Sequence, residues 1–171
     1  MKPILLTIAV MLIFSFTGCA SIKRLANGEF QKVIGQNNSN PVIISDKDLA
    51  GLPEPVKRYL SFAGVIGKER TRTVHVRFSG EMKMSENQNW LPVQVDQVSG
   101  LDNPVRIFYI SGRLAPLLTI DGRDKYKDGK GNMFIKLLSL ITVADSRGME
   151  TDASELVTFL NDMIFIPAAF C

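Results

Sequence analysis

From Val74 onward the apolar residues recur at every second position, and this period constrains the fold more than any other feature of the chain. Val74, Val76, Phe78, Met82 and Met84 alternate with His75, Arg77, Ser79, Glu81 and Lys83. That is the pattern of a half-buried antiparallel strand with one wet face. Asn87-Gln88-Asn89 reads as a turn, and Leu91, Val93 and Val95 carry the alternation through a second strand. Val105, Ile107 and Tyr109 form a third, with Phe108 and Ile110 adding apolar weight to its other face. Leu118 and Ile120 begin a fourth, which Lys125 to Lys127 extend after Asp121-Gly122. Asp128-Gly129-Lys130-Gly131 predicts a hairpin turn, and Met133 to Val143 predicts a fifth strand apolar on both faces. The expectation is an α+β domain, an antiparallel β-sheet of about five strands packed against helices.

Two segments have the helical period instead. Leu52, Val56, Tyr59, Leu60 and Ala63 share one helix face, with prolines at the start and Gly64 as a terminator. Near the C-terminus, Leu156, Phe159, Leu160, Met163 and Ile164 form a wide apolar face. Asp152 through Glu155 have capping-box spacing there, with Asp152 in the capping place and Pro167 beyond the end.

The N-terminus carries an address. Lys2 precedes an almost wholly apolar run from Pro3 to Phe16, and Thr17-Gly18 leads into Cys19. A short apolar run ending at small residues is a signal-peptide pattern. Phe16-Thr17-Gly18-Cys19 resembles the bacterial lipobox, although Phe stands where Leu is usual. The resemblance implies lipidation at Cys19, a palmitate-type acylated N-terminus after cleavage, and stable anchoring by several acyl chains at about 0.8 kcal/mol per buried CH₂. An uncleaved membrane helix is the alternative. The run is shorter than the roughly 20 residues a span needs, while Lys23, Arg24 and Lys32 sit behind it and rival the charge in front. Ala20 rather than Asp follows the cysteine, which by likeness to lipoprotein sorting directs the protein to the outer membrane of a two-membrane host. The expected division is a signal peptide at 1–18, a polar tether at 19–45 and a β-rich domain at 46–171. The only other cysteine is Cys171, an odd thiol if Cys19 is acylated.

Composition excludes more than it suggests. Net charge is +3 from 20 basic and 17 acidic residues, with no basic stripe interleaved with aromatics, which argues against a nucleic-acid partner. His75 is the sole histidine, so zinc and a metal cofactor are not expected. Asp121, Asp124, Asp128 and Asn132 suggest a calcium loop, but Arg123 and Lys125 occupy ligand positions and no Glu closes it. Gly129-Lys130-Gly131 lacks the residues of a phosphate loop. Glu81, Asp96 and Asp145 lie on separate segments and form no readable pair. Trp90 and Pro92 either line a groove or close a turn over the core. No catalytic residue and no cofactor is predicted, and the chain is read as a non-enzyme.

Taken together, the runs Leu52-Pro53-Glu54-Pro55-Val56-Lys57-Arg58-Tyr59-Leu60, Trp90-Leu91-Pro92 with Gln97, Asp128-Gly129-Lys130-Gly131 with Met133, Val143-Ala144-Asp145-Ser146 and Phe165-Ile166-Pro167-Ala168-Ala169 resemble an uncharacterised bacterial envelope family. Arg77, Gly80, Glu155 and Leu156 belong to the same likeness. The resemblance implies a curved sheet like the half-barrel of lipoprotein carriers of the LolA type. It also implies that this chain is the N-terminal part of a longer domain, an incomplete half-barrel behind an N-terminal signal helix. It supplies no catalytic residues. Three functions stay open: an envelope lipoprotein binding an apolar ligand or lipid on its sheet, a structural lipoprotein with a self-filled core and a protein partner, and an enzyme built on His75 beside Arg77 and Glu81.

Overall fold

The computed structural model describes residues 21–36, 40–116 and 118–169. The expected signal peptide and the two cysteines lie outside these residues. Six strands form one antiparallel sheet in chain order: β1 Thr73–Met82, β2 Leu91–Gly100, β3 Val105–Ala115, β4 Leu118–Lys127, β5 Lys130–Leu137 and β6 Ile141–Ser146. Each strand pairs with the next, so β1 and β6 are the open edges. The α+β class and the antiparallel sheet are as the alternation predicts.

The count of strands differs, and the reason is local. The run read as one fifth strand is folded in two by a turn at Leu138–Leu140. Leu138 and Ser139 both adopt positive φ, 54° and 57°. Hairpin turns of this hand normally announce themselves with Asn or Gly; here Leu and Ser hide it. The Asp128-Gly129 turn, with φ of 52° and 75°, is the ordinary case and was legible.

A second difference concerns 19–45. The expected polar tether contains a helix, α1, Ile22–Ile34, opened by Ser21, whose Oγ accepts the Arg24 N–H at 3.2 Å. Ile22, Ala26, Phe30 and Val33 recur at helical spacing and are buried. They pack on Val98, Val105, Ile107 and Tyr109 from β2 and β3. Full burial of each large apolar side chain contributes roughly 1.5–3 kcal/mol, so α1 belongs to the core. Glu29 fixes it laterally, meeting Lys125 Nζ at 2.6 Å and Arg123 Nε at 3.4 Å.

Between α1 and the sheet, the short helices α2 (Asp46–Leu49) and α3 (Glu54–Phe62) build a small satellite core from Ile44, Leu49, Leu60 and Val65. The Tyr59 hydroxyl donates to the Ile164 carbonyl and joins this satellite to the end of the last helix.

That helix, α4, spans Met149–Met163 and lies on the opposite sheet face from α1. Its N-cap is Gly148, four residues before Asp152 and the capping box read there. Asp152 instead reaches across to β5, accepting from Gly131 N at 2.7 Å and Lys130 Nζ at 2.9 Å. A Cβ at Gly131 would stand 2.4 Å from the Thr151 carbonyl oxygen, so only glycine lets the helix backbone approach this closely. The buried stripe of α4 is Glu155, Phe159 and Met163, while Leu156, Leu160 and Ile164 of the expected apolar face remain exposed.

Candidate functional site

The register assigns every strand residue to one of two faces, because directly paired residues share a face. On the α4 side stand Val76 and Phe78 of β1, Val93 and Val95 of β2, Phe108 and Ile110 of β3, Ile120 of β4, and Met133, Ile135 and Leu137 of β5. Gly112 and Gly122 lie among them. A Cβ at Gly112 would meet Leu91 at 2.8 Å, and one at Gly122 would meet Ile110 at 3.0 Å, so the glycines let neighbouring side chains lie down. The result is an apolar floor. Its edge is open: Phe78 is 52% exposed and Ile141 59%.

α4 covers the other end of this face through a buried ionic cluster. Arg106 Nε donates to Asp162 Oδ2 at 2.8 Å and its Nη1 to Glu155 Oε2 at 3.4 Å. Gln97 Nε2 donates to the same Asp162 oxygen at 2.8 Å. The guanidinium also lies over Phe108 at 4.9 Å. Burial pushes the Glu155 carboxyl above its ordinary range, and the nearby Asp124 charge adds to this. Burial also raises Asp124, against the opposing pull of Arg106 and Arg123. One cation among three carboxylates fastens the helix. It also places charged walls beside an apolar floor.

The α1 face carries the residues singled out for chemistry. His75 Nε2 lies 2.5 Å from Asp96 Oδ1, and Arg77 Nε donates to Asp96 Oδ2 at 3.3 Å. The imidazole also meets the Phe30 ring of α1 at 6.1 Å. Asp96 thus gathers His75 and Arg77. Glu81 is on the same face, four residues beyond Arg77, and is not part of that group. Asp121 is buried and accepts from Tyr109 Oη at 2.8 Å and Ser139 Oγ at 3.0 Å. Burial, reinforced by this bond, pushes the Tyr109 hydroxyl far above its usual range. Asp124 points to the opposite face, Asp128 sits at the hairpin tip, and Asn132 takes both guanidinium nitrogens of Arg123 at 2.9 and 3.0 Å. The four residues of the imagined calcium loop are therefore dispersed. Asp145 holds Arg147 and Asn132 at the far edge, apart from Asp96 and Glu81. Among the described residues no group of His, Cys, Asp and Glu is placed to hold a metal.

Concave spaces of mixed polarity border the floor, with Val93 and Gly112 lining one and Phe78 and Val95 another. One of about 620 Å³ is lined by Ser79, Glu81, Gln94, Ser111 and Arg113 among others. Another of about 580 Å³ collects Arg123, Lys125, Lys127, Lys130 and Arg147, each of which has a carboxylate within ion-pair reach. Trp90 stands 60% exposed on the β1–β2 hairpin, with Lys83 Nζ 5.4 Å from its ring, so it does not close over the core, while Pro92 lines the 620 Å³ space. Cys19 lies outside the described residues. Sequence reasoning missed the Arg106 cluster. The available signal was a charge at Arg106 between two strand residues of the core, and a carboxylate at Glu155 in the phase of a helix's buried stripe.

An open antiparallel meander with a helix on each face and one half-exposed apolar floor defines an α+β domain. The family of unknown function DUF6544 matches residues 42–171, and the chain belongs to it. No curated protein and no solved structure matches the chain. The match begins after α1, so the family's shared part is the sheet, α4 and the satellite helices.

Proposed function

We propose that this protein is a cell-envelope lipoprotein, anchored outside the cytoplasm through acylated Cys19, whose sheet binds an apolar ligand or lipid. The single observation that carries the binding reading is the apolar floor on the α4 side, with Phe78 and Val76 open at its edge. A face left half-exposed by its own helix is where an acyl chain gains burial at about 25 cal/mol per Å². The LolA-type half-barrel that the sequence resemblance implies points the same way, as fold analogy alone. On this reading the chain is not an enzyme, and Asp96 serves to hold His75 and Arg77 against the α1 side.

The test is uptake of a fluorescent fatty acid by delipidated full chain. Uptake that Val76→Lys weakens about tenfold, without changing thermal unfolding, is the expected result. No uptake by the parent chain would leave the structural lipoprotein reading in its place. The anchor is tested separately. Cys19→Ser should accumulate as an unprocessed or soluble form, since a hydroxyl does not replace the thiol in acyl transfer. Unchanged membrane fractionation and mobility of that variant would remove the lipidation reading.

A further inference from the structure

The two ends of the sheet are chemically unlike. The β2–β3 and β4–β5 turns share one end and present Asp102, Asn103, Lys127, Asp128 and Lys130, all exposed. The other end carries three connections, β1–β2, β3–β4 and β5–β6. Met84 and Trp90 are exposed on the first, Leu114 and Pro116 on the second, and Leu138, Leu140 and Ile141 on the third. Aromatic and aliphatic side chains aligned on successive turns, with Lys83, Arg113 and Lys136 around them beside Glu81, Glu86 and Asp121, make an apolar tip ringed by charges of both signs.

α1 points its N-terminus toward this same end. Its last turn lies at the charged end, where a Cβ on Gly100 would stand 3.1 Å from Val33. Its first turns lie farther along the strands: Lys23 and Asn27 line one concavity with Phe78, Ser79 and Gln94. The chain therefore enters α1 from the apolar-tip side. Cys19 is two residues before Ser21, and two residues of extended chain cover about 7 Å. From Ser79 to Met82 the strand runs only about 10 Å. Anchor and apolar tip are thus held at one end of the molecule by chain length.

The β5–β6 turn adds an independent observation. Leu138 and Ser139 occupy left-handed backbone conformations that cost non-glycine residues about 1–3 kcal/mol each. Asn-Gly would make this turn without that cost. Leu138 is 39% exposed in this turn, so burial of its side chain does not offset the cost of its conformation.

We propose that the three connections form a membrane-contacting edge that inserts its apolar side chains into the headgroup and acyl-chain boundary of a bilayer containing anionic lipid. Trp at such a boundary keeps its indole body in an apolar layer and its N–H in a polar one. Lysine and arginine around it meet lipid phosphates. The proposal rests on the anchored-lipoprotein reading for its orientation, and it has a readout of its own, because Trp90 is the only tryptophan in the chain. Full chain is reconstituted into vesicles of phosphatidylethanolamine and phosphatidylglycerol, with or without lipids brominated high on their acyl chains. Trp90 emission is expected to shift blue and fall to roughly half with brominated lipid, as for an interfacial indole. Leu140→Asp, at a position already 54% exposed, should restore most of the emission while leaving thermal unfolding unchanged. Leu138→Asn should stabilise the fold yet also reduce quenching. Trp90 that stays open to aqueous acrylamide and unquenched by brominated lipid would overturn the proposal. So would Trp90 shielded from acrylamide but untouched by brominated lipid, which marks a protein contact. Cys19→Ala is fractionated in parallel. If its membrane association and its electrophoretic mobility are both unchanged, the anchor reading fails, and bromolipid quenching still decides the edge on its own.

Discussion

Arg106 is the residue on which the α4 face turns. It is 5% exposed and its partner Glu155 is 7% exposed, while its partner Asp162 and the neighbouring Asp124 are half-buried. Removing one partner of a buried pair strands the others, at about 3–5 kcal/mol. Arg106→Met should therefore lower unfolding stability by about that amount at neutral pH in urea titration. The carboxylates set the pH dependence. Burial raises Asp124 and Glu155 in the folded state, so between their unfolded and folded pKa values the folded chain binds more protons. Stability consequently falls as pH rises through that window, and the penalty is fully present above it. Asp124→Asn removes one such group and should raise stability at neutral pH while flattening this part of the profile. A variant no more stable than the parent at neutral pH would show that the pull of Arg106 outweighs burial at Asp124.

At the scale of elements, α1 and α4 test whether the helices belong to the fold. Phe30 is buried against Val98, Ile107 and Tyr109, and Phe30→Ala should cost about 3–5 kcal/mol, measured by the shift in denaturant midpoint. A polar tether would predict no change. Gly131→Ala pushes a methyl onto the Thr151 carbonyl and should cost at least the roughly 1–3 kcal/mol typical of overpacking, with loosening of the Tyr126–Phe159 stack at 5.8 Å. The same elements show what was legible. β1 to β4 and α3 follow period and turn chemistry, so Asp128-Gly129 and Gly64 could be read directly. α1 escaped because its stripe of Ile22, Ala26, Phe30 and Val33 is interspersed with Lys23, Arg24, Asn27, Gly28 and Lys32, which made the segment read as solvated. The β5–β6 turn escaped because strained Leu138 and Ser139 are not turn formers. The apolar floor was implicit in the alternation. The Arg106 cluster was not, because its four charged or amide partners come from β2, β4 and two turns of α4, and only the register brings them together.

For the whole molecule, an open six-stranded meander leaves two edges, and they are not equivalent. β1 is ten residues long and interrupts its exposed face with His75, Arg77 and Glu81. β6 is six residues long and runs Ile141-Thr142-Val143-Ala144 before its first charge at Asp145. A short strand and the register shift at Ile135/Lys136, which leaves Val143 as the extra residue, are both devices that discourage edge pairing. Charge and proline, the stronger deterrents, are missing from 141–144. Ile141 and Val143 are 59% and 58% exposed, so the edge offers apolar side chains together with unpaired backbone groups. The bulge limits how long a shared ladder grows without removing the attraction, and the expected behaviour is weak, concentration-dependent association through β6. Sedimentation of the full chain in mild detergent over a wide concentration range should show a reversible shift from monomer toward dimer. Val143→Lys, a change at an exposed site that disturbs no core contact, should hold the chain monomeric across that range while Trp90 fluorescence stays unchanged, because Trp90 lies beside the opposite edge. A parent chain that stays monomeric at every concentration would mean that the bulge alone closes this edge.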